Sequence, residues 1–240
     1  QMATDDVGAL TTAQWAIFAT DDLGAFTSQQ WGAVSAYLST AQWAGFGTSA
    51  LVALSTGQWQ SMATDRLQAF GTSQWQSMAT DDLVALTTAQ WAALATDDLV
   101  ALTPAQWAVL ATDDLQALTT AQWSSLATDD LRAMTTLQWP QMATDDLVAL
   151  LATVQWAALA TDDLQALTTE QWSQLASDDL RGLSTAQWAA LATDDLQALT
   201  TEQWSLMASD DLVAMLATVQ WSSLATDDLQ ALTTSQWSAL

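Results

Sequence analysis

Paired aspartates are the residues of this sequence whose type and spacing most clearly suggest chemistry. Twelve Asp-Asp pairs recur along the chain, and Asp65-Arg66 is a broken copy of the same motif. Aligned on one face of a repeating structure, such carboxylates could hold Ca²⁺ or Mg²⁺, or contact a mineral. The alternative is that they stabilise helix N-termini and form a solvated face. The candidate ligands are Asp81, Asp82, Asp97, Asp98, Asp113, Asp114, Asp129, Asp130, Asp145, Asp146, Asp162 and Asp163, and the remaining pairs are Asp5-Asp6, Asp21-Asp22, Asp178-Asp179, Asp194-Asp195, Asp210-Asp211 and Asp227-Asp228.

Tryptophan recurs with a similar period. Fifteen tryptophans follow one another at intervals of 16 residues, with three exceptions. Regular indoles could stack a ligand or bind sugars. However, Trp91 and Leu94 are three residues apart and would share a helix face, and an indole buries a large apolar area. We therefore expect the tryptophans to form the core, with Trp75, Trp91, Trp107, Trp123, Trp139, Trp156, Trp172 and Trp188 as its central members.

Several residue types that enzymes commonly use are missing. The chain has no histidine, lysine or cysteine, and its 27 acidic residues give a net charge of −24. The commonest general base is therefore absent, and twelve near-identical Asp pairs argue against one specialised catalytic geometry. We expect no enzyme activity, and Ca²⁺ is the one cofactor that the aspartates suggest. The charge predicts no nucleic-acid partner, and the lack of an 18-residue apolar run predicts no membrane insertion.

The elements that carry these residues are short. One copy, from Thr87 to Leu102, reads TTAQWAAL followed by ATDDLVAL, so two similar units of eight residues alternate. We call them the Trp octad and the Asp octad. Eight residues advance an α-helix about 80° beyond two turns, so one long helix would rotate its apolar stripe away from any partner. We therefore expect an all-α solenoid or superhelical coil of very short helices, with about thirty octads paired into 16-residue Trp/Asp repeats.

Helix-capping residues support a break in every octad. Thr87 and Gln90 fit a capping box, with Thr87 at the N-cap and Gln90 at the third helical position. Pro104 occupies the first helical position of its octad, where proline is favoured. Asp97-Asp98 fall in a first turn, where the helix dipole favours negative charge. The glutamine before each tryptophan could also form hydrogen bonds along the stack. Pro140 predicts a short or locally kinked helix.

Irregular positions interrupt the period at three places. Four residues are missing between Trp31 and Trp43, so we expect a bend or packing defect over residues 31–54. Single-residue insertions fall near residues 151 and 216, and residues 145–172 match residues 210–237 at 24 of 28 positions. The chain is accordingly predicted to be one continuous array, 1–240, with a higher-order unit of four 16-residue repeats plus one residue. Our hypothesis is that this unit approximates one superhelical turn. A designed repeat protein would share the period, but the irregularities favour natural duplication.

The chain begins and ends inside the repeat pattern, and neither end has a polar capping repeat. Solenoids normally need such caps for solubility. We therefore expect either a section of a longer array or a processed subunit that self-associates end to end through its uncapped repeats.

The run Leu-Thr-Thr-Ala-Gln-x-x-x-Leu occurs at residues 86–94 and 118–126. It resembles the LTTAQ-type short-helix tandem repeats of large bacterial secreted and surface proteins. The resemblance extends over nearly the whole chain, although those repeats commonly have an aliphatic residue where this chain has tryptophan. It implies an extracellular or cell-surface location and a fibrous or adhesive role. The sequence thus predicts a structural protein, as a filament subunit or a stalk segment. The alternative is a module that binds divalent cations or mineral through its aspartates.

Overall fold

The structure is a computed structural model, and it describes residues 38–52, 54–150, 152–216, 221–222 and 224–240, together with residues 6, 11, 14 and 30. The described residues form helices and connecting turns, and no strand occurs among them. The chain divides into two compact units, Gln1–Leu118 and Thr119–Leu240. The arrangement within each is all-α and solenoid-like, as predicted. That one continuous array runs through all 240 residues stays a prediction.

The helices of the first unit are each four to six residues long. Trp octads and Asp octads alternate, and each contributes one helix. In chain order they are α1 (Thr40–Ala44), α2 (Thr48–Leu51), α3 (Thr56–Gln60), α4 (Thr64–Leu67), α5 (Thr72–Ser77), α6 (Thr80–Val84), α7 (Thr88–Ala93), α8 (Thr96–Val100), α9 (Pro104–Trp107) and α10 (Thr112–Gln116).

The second unit repeats this pattern with two departures. A 3₁₀-helix covers Trp139–Gln141, where Pro140 removes a backbone donor, and a π-helix covers Ala152–Trp156. The α-helices are α11 (Thr120–Ser125), α12 (Thr128–Ala133), α13 (Thr144–Val148), α14 (Thr161–Gln165), α15 (Thr169–Gln174), α16 (Ser177–Arg181), α17 (Thr185–Ala190), α18 (Thr193–Gln197), α19 (Thr201–Leu206), α20 (Ser209–Leu216), α21 (Thr226–Ala231) and α22 (Thr234–Ala239).

The Trp octads of α7, α9, α11, α15, α17, α19 and α22 begin their helices with the predicted capping box. The backbone N–H of Gln90 donates to Thr87 Oγ1 at 3.3 Å, and the backbone N–H of Thr87 donates to Gln90 Oε1 at 2.7 Å. Thr103 caps α9 in the same way, and Pro104 occupies the predicted first position of that helix. Local sequence therefore determines where these helices start.

Helices α7, α11, α15, α17 and α19 end where the next residue turns to an extended conformation, whereas the residue after α8 keeps helical backbone angles. Leu94, after α7, has φ −63° and ψ 145°. Trp91 and Leu94 are both buried, with exposed fractions of 0% and 5%. Helices of so few residues are unstable in isolation, so the packing of tryptophan and leucine side chains must stabilise them.

Each octad packs on an octad about one turn of the coil further on. Helix α4 contacts α7, α5 contacts α8, and in the second unit α16 contacts α19, three octads apart in each case. Side-chain hydrogen bonds also link octads four apart, as described below. One turn of the coil thus contains between three and four octads. The hypothesis that four 16-residue repeats make one turn is therefore wrong, since a turn has less than half that length.

The insertion near residue 151 is accommodated within one element. Ala152–Trp156 forms a π-helix, whose i→i+5 hydrogen bonds absorb one extra residue in a turn. Trp156 remains fully buried. Much of the second insertion, at 217–220, lies outside the described residues, as do residues 31–37 and residue 53 of the predicted irregular segment.

Candidate functional site

The turns of the described chain are joined by side chains of glutamines that directly precede tryptophans. Gln90 is buried, and its Nε2 donates to the carbonyl oxygens of Trp59 and Met62, both at 2.8 Å. These carbonyls lie 31 and 28 residues earlier in the chain, at the C-terminal end of α3. Helix ends leave such carbonyls without an intrahelical partner. One glutamine side chain therefore caps its own helix and closes the end of another, as the sequence predicted.

The same pair of bonds recurs through both units. Across the π-helix, Gln155 Nε2 donates to the carbonyl oxygens of Trp123 and Leu126, at separations of 32 and 29 residues. The separation grows by one residue while the partners stay equivalent. The bonds therefore join the same positions of octads four apart, even where an inserted residue lengthens the sequence between them. The further donors are Gln74, Gln106, Gln171, Gln187, Gln203 and Gln236.

The predicted core tryptophans lie at the centre of each turn. All eight have an exposed fraction of 0%. Trp221 and Trp237, near the end of the sequence, differ: Trp237 is 49% exposed, and its ring centroid lies 6.2 Å from that of Trp221. An indole with no exposed surface has no face available to a ligand in this conformation. The eight residues are Trp75, Trp91, Trp107, Trp123, Trp139, Trp156, Trp172 and Trp188.

The two members of each aspartate pair have different environments. Adjacent helical residues point about 100° apart, so the first aspartate is exposed and the second is buried. We call them the outer and inner aspartates. Among the predicted ligands, the outer aspartates are Asp81, Asp97, Asp113, Asp129, Asp145 and Asp162, and the inner ones are Asp82, Asp98, Asp114, Asp130, Asp146 and Asp163.

An inner aspartate caps its own helix and faces a tryptophan of an earlier turn. Asp98 Oδ2 accepts the backbone N–H of Ala95 at 3.1 Å, and its Oδ1 accepts the indole N–H of Trp75 at 3.0 Å. In another turn the corresponding hydrogen bond between indole and aspartate is not formed. The indole nitrogen of Trp172 has no acceptor within hydrogen-bonding distance in the described part of the chain, although this N–H still lowers the pKa of Asp195.

Burial changes the acidity of the inner aspartates. Desolvation is the largest influence, and it raises the pKa of Asp114, Asp146, Asp179, Asp195 and Asp211 to about 6. The charge of the neighbouring outer aspartate raises the pKa further, whereas hydrogen bonds from the cap amide or the indole lower it where they form. Desolvation also raises the pKa of Asp82, Asp98, Asp163 and Asp228.

The pairs therefore do not present two carboxylates to one surface. Over the described residues, no group of three or more acidic side chains converges as a metal site would require. Two outer aspartates lie near arginines, with Arg132–Asp129 at 3.9 Å and Arg181–Asp178 at 3.1 Å. Such exposed pairs contribute little stability. Calcium binding by the aspartates stays a prediction.

The opposite roles of the paired aspartates were not predicted from the sequence. Aligning the two octads supplies the signal, because Gln90 and Asp98 both occupy the third helical position, directly before the buried Trp91 or Leu99. Both side chains turn back to their own N-cap amide. The inner aspartate is thus the counterpart of the buried glutamine.

None of the described helices combines the length and apolar character needed to span a membrane. The ALTTAQ repeat family model matches the chain over residues 76–112, 91–128 and 172–209. These ranges include Trp octads and Asp octads from both units. No curated protein is significantly similar to the chain.

Proposed function

We propose that this chain, a tandem-repeat protein with ALTTAQ repeats over those ranges, serves a structural role outside the cell. In this proposal it is a filament subunit or a stalk segment of a large bacterial surface protein, and it is not an enzyme. The observation that supports this role most strongly is uniformity. The amide bonds of Gln90, Gln187 and Gln203 join equivalent atoms in successive turns, and no octad among them is specialised.

Cohesion between turns is suited to such a role. Separating the turn that contains Gln187 from the one before it would break two buried hydrogen bonds, to Trp156 and Leu159. It would also expose indoles that are now fully buried. Both losses are unfavourable in water, and they recur at every turn. The total free energy of unfolding therefore increases with the number of turns.

Self-association through the exposed indoles is the second part of the proposal. Trp237 is 49% exposed, whereas Trp188 is 0% exposed because other octads cover it. We propose that octads of another copy cover Trp221 and Trp237 as octads of the same chain cover Trp188. An exposed aromatic side chain such as that of Trp237 is suited to such contacts.

Electron microscopy of the purified 240-residue chain tests these proposals. Filaments that lose length in Trp237→Asp, but not in Ser235→Asp, would support a subunit. The control adds the same charge at an exposed position of α22. Separate particles that double in length when two copies are fused in tandem would support a stalk. Particles that neither polymerise nor lengthen would contradict both roles.

Cation or mineral binding is the alternative. It would use the outer aspartates, such as Asp97 and Asp113, which are exposed on a chain of net charge −24. That charge would concentrate divalent cations near the surface. A saturable rise of the urea midpoint with Ca²⁺ concentration would support this function.

A further inference from the structure

The inner aspartates are buried carboxylates with incomplete hydrogen bonding. Asp195 is 6% exposed, and its Oδ2 accepts the backbone N–H of Ala192 at 3.1 Å. Asp114 is also 6% exposed, and its Oδ2 has no hydrogen-bond partner in the described part of the chain. Burying an ionised carboxylate is unfavourable unless it is paired and fully hydrogen-bonded. While they are charged, these side chains therefore lower the stability of the fold.

Neighbouring negative charges increase this destabilisation. Asp195 shares α18 with the exposed Asp194, and α18 packs on α15, whose charged residue is Glu170. Asp114 shares α10 with Asp113, and α10 packs on α7, which has no charged residue.

One inner aspartate shares its helix with an arginine, but that arginine pairs with the outer aspartate. Asp179 shares α16 with Asp178 and Arg181, and Arg181 pairs with the exposed Asp178 at 3.1 Å. Helix α16 packs on the π-helix Ala152–Trp156, which has no charged residue, and on α19, whose charged residue is Glu202.

We propose that the inner aspartates make the coil a proton-responsive structure that gains stability in mildly acidic solution. A proton taken up by each inner aspartate removes a buried charge while leaving a carbonyl oxygen that can still accept the cap amide. Many octads contribute to this response, because the same environment recurs in one Asp octad after another. It does not depend on self-association.

The direction of the effect follows from the proton balance. Burial raises the pKa of Asp195 to about 6, above the value of 3.8 of a solvated aspartate. Between those values the folded chain binds more protons than the unfolded chain, so the free energy of unfolding rises as pH falls. The gain is absent above the folded pKa and complete below the unfolded one. The same sign holds for Asp114, Asp146, Asp179 and Asp211.

Urea unfolding at constant ionic strength, from pH 7.5 to pH 4.5, tests the proposal with matched variants. The inner variant is Asp195→Asn with Asp211→Asn, and the outer control is Asp194→Asn with Asp210→Asn. Both lose two negative charges, so general charge repulsion falls equally in each. We expect the urea midpoint of the wild type to rise toward pH 4.5. The rise should be much smaller in the inner variant and only slightly smaller in the control, because the outer charges raise the inner pKa values less than desolvation does. Equal pH dependence in the two variants, or a wild-type midpoint that falls toward acid, would overturn the proposal.

Carboxyl ¹³C NMR of the folded wild type provides a second measurement, which remains informative where the variants fail to fold. We expect one group of aspartate carboxyl signals to titrate near pH 6. Asp195→Asn should remove intensity from this group, whereas Asp194→Asn should leave its intensity unchanged. The absence of carboxyl signals that titrate near pH 6 would refute the inference.

Discussion

The side-chain amide of Gln90 lies 2.8 Å from the carbonyl oxygen of Trp59, which precedes it by 31 residues. The same side chain accepts the backbone N–H of Thr87 at 2.7 Å. A single buried residue thus starts one helix, closes the end of another and joins two turns of the coil. Because the relationship recurs in both units, its disruption at one position provides a sharp test of the fold.

Gln90→Glu separates the two functions of this residue. Glutamate can still accept the N–H of Thr87, as in an ordinary capping box, but it places a carboxylate against the carbonyls of Trp59 and Met62. We expect a loss of about 2 to 4 kcal/mol in the free energy of unfolding, because the donors disappear and a buried charge has no partner. Urea denaturation measures the loss. Gln76→Glu is the control, since Gln76 is exposed on α5. Equal effects of the two substitutions would mean that the amide bonds add no stability.

Helix capping is tested by Thr87→Ala and Thr88→Ala. Thr87 is the N-cap whose Oγ1 accepts the N–H of Gln90, whereas Thr88 is the exposed first residue of α7. Loss of an N-cap side chain costs about 1 kcal/mol, and we expect an effect within about 0.5 kcal/mol at Thr88. Thermal or urea unfolding compares the two. A larger effect at Thr88 would show that the helix starts at a different residue.

Core packing is tested by truncating a tryptophan at a buried and at an exposed position. Trp188→Ala removes a side chain that is 0% exposed, and we expect it to cost about 3 to 5 kcal/mol. Trp237→Ala removes one that is 49% exposed and should cost about 1 kcal/mol or less. Urea unfolding of dilute protein measures both effects without a contribution from assembly. Comparable losses would contradict the central position of Trp188.

The π-helix predicts that one residue can be removed near position 151 without loss of the fold. Deleting Leu151 restores the 16-residue period, and Gln155 can then bond to Trp123 and Leu126 at the separations seen elsewhere. We expect a stability change within about 1 kcal/mol, because the π-helix already accommodates a difference of one residue between octads.

Deleting Ala189 from α17 is the matched control. Each following residue of that octad then rotates by about 100°, which displaces Leu191 from the core and should cost more than about 3 kcal/mol. Circular dichroism during urea unfolding compares the two deletions. Equal tolerance would show that octad length is not constrained.

Divalent cations test the alternative function. The inner and outer aspartates face different surroundings, so we expect Ca²⁺ and Mg²⁺, compared at equal ionic strength, to raise the urea midpoint equally and without saturation as their concentration increases, through screening alone. Titrations before and after EDTA treatment provide the comparison. A saturable rise specific to Ca²⁺, reversed by EDTA and reduced in Asp97→Asn with Asp113→Asn, would establish cation binding instead.

Local features of the fold could be predicted from the sequence, whereas relations between distant octads could not. The cap at Thr87 and the start of α9 at Pro104 depend on residues within one turn, and both were predicted correctly. The spacing between turns depends on the angle between successive helices. Extended residues such as Leu94 set that angle, and no side-chain pattern specifies it. The length of a coil turn was therefore predicted wrongly.

The aspartate pairs also show that local sequence does not predict contacts between distant residues. Their position in the first helical turn was predicted, but the burial of Asp98 against Trp75 joins residues 23 positions apart. A pattern that treats Asp97 and Asp98 as equivalent cannot predict that one is exposed and the other buried. Comparison of the two octads position by position could have separated them.

Light scattering coupled to size-exclusion chromatography, over a concentration series of the 240-residue chain, tests the central claim of structural self-association most directly. The account predicts that the mass grows with concentration beyond the 25.7 kDa of one chain, in EDTA as well as in millimolar Ca²⁺, and that Trp237→Asp suppresses this growth. A mass that stays at 25.7 kDa at every concentration, in both solutions, would contradict self-association and the filament role, and only the stalk segment would remain of the proposed structural roles.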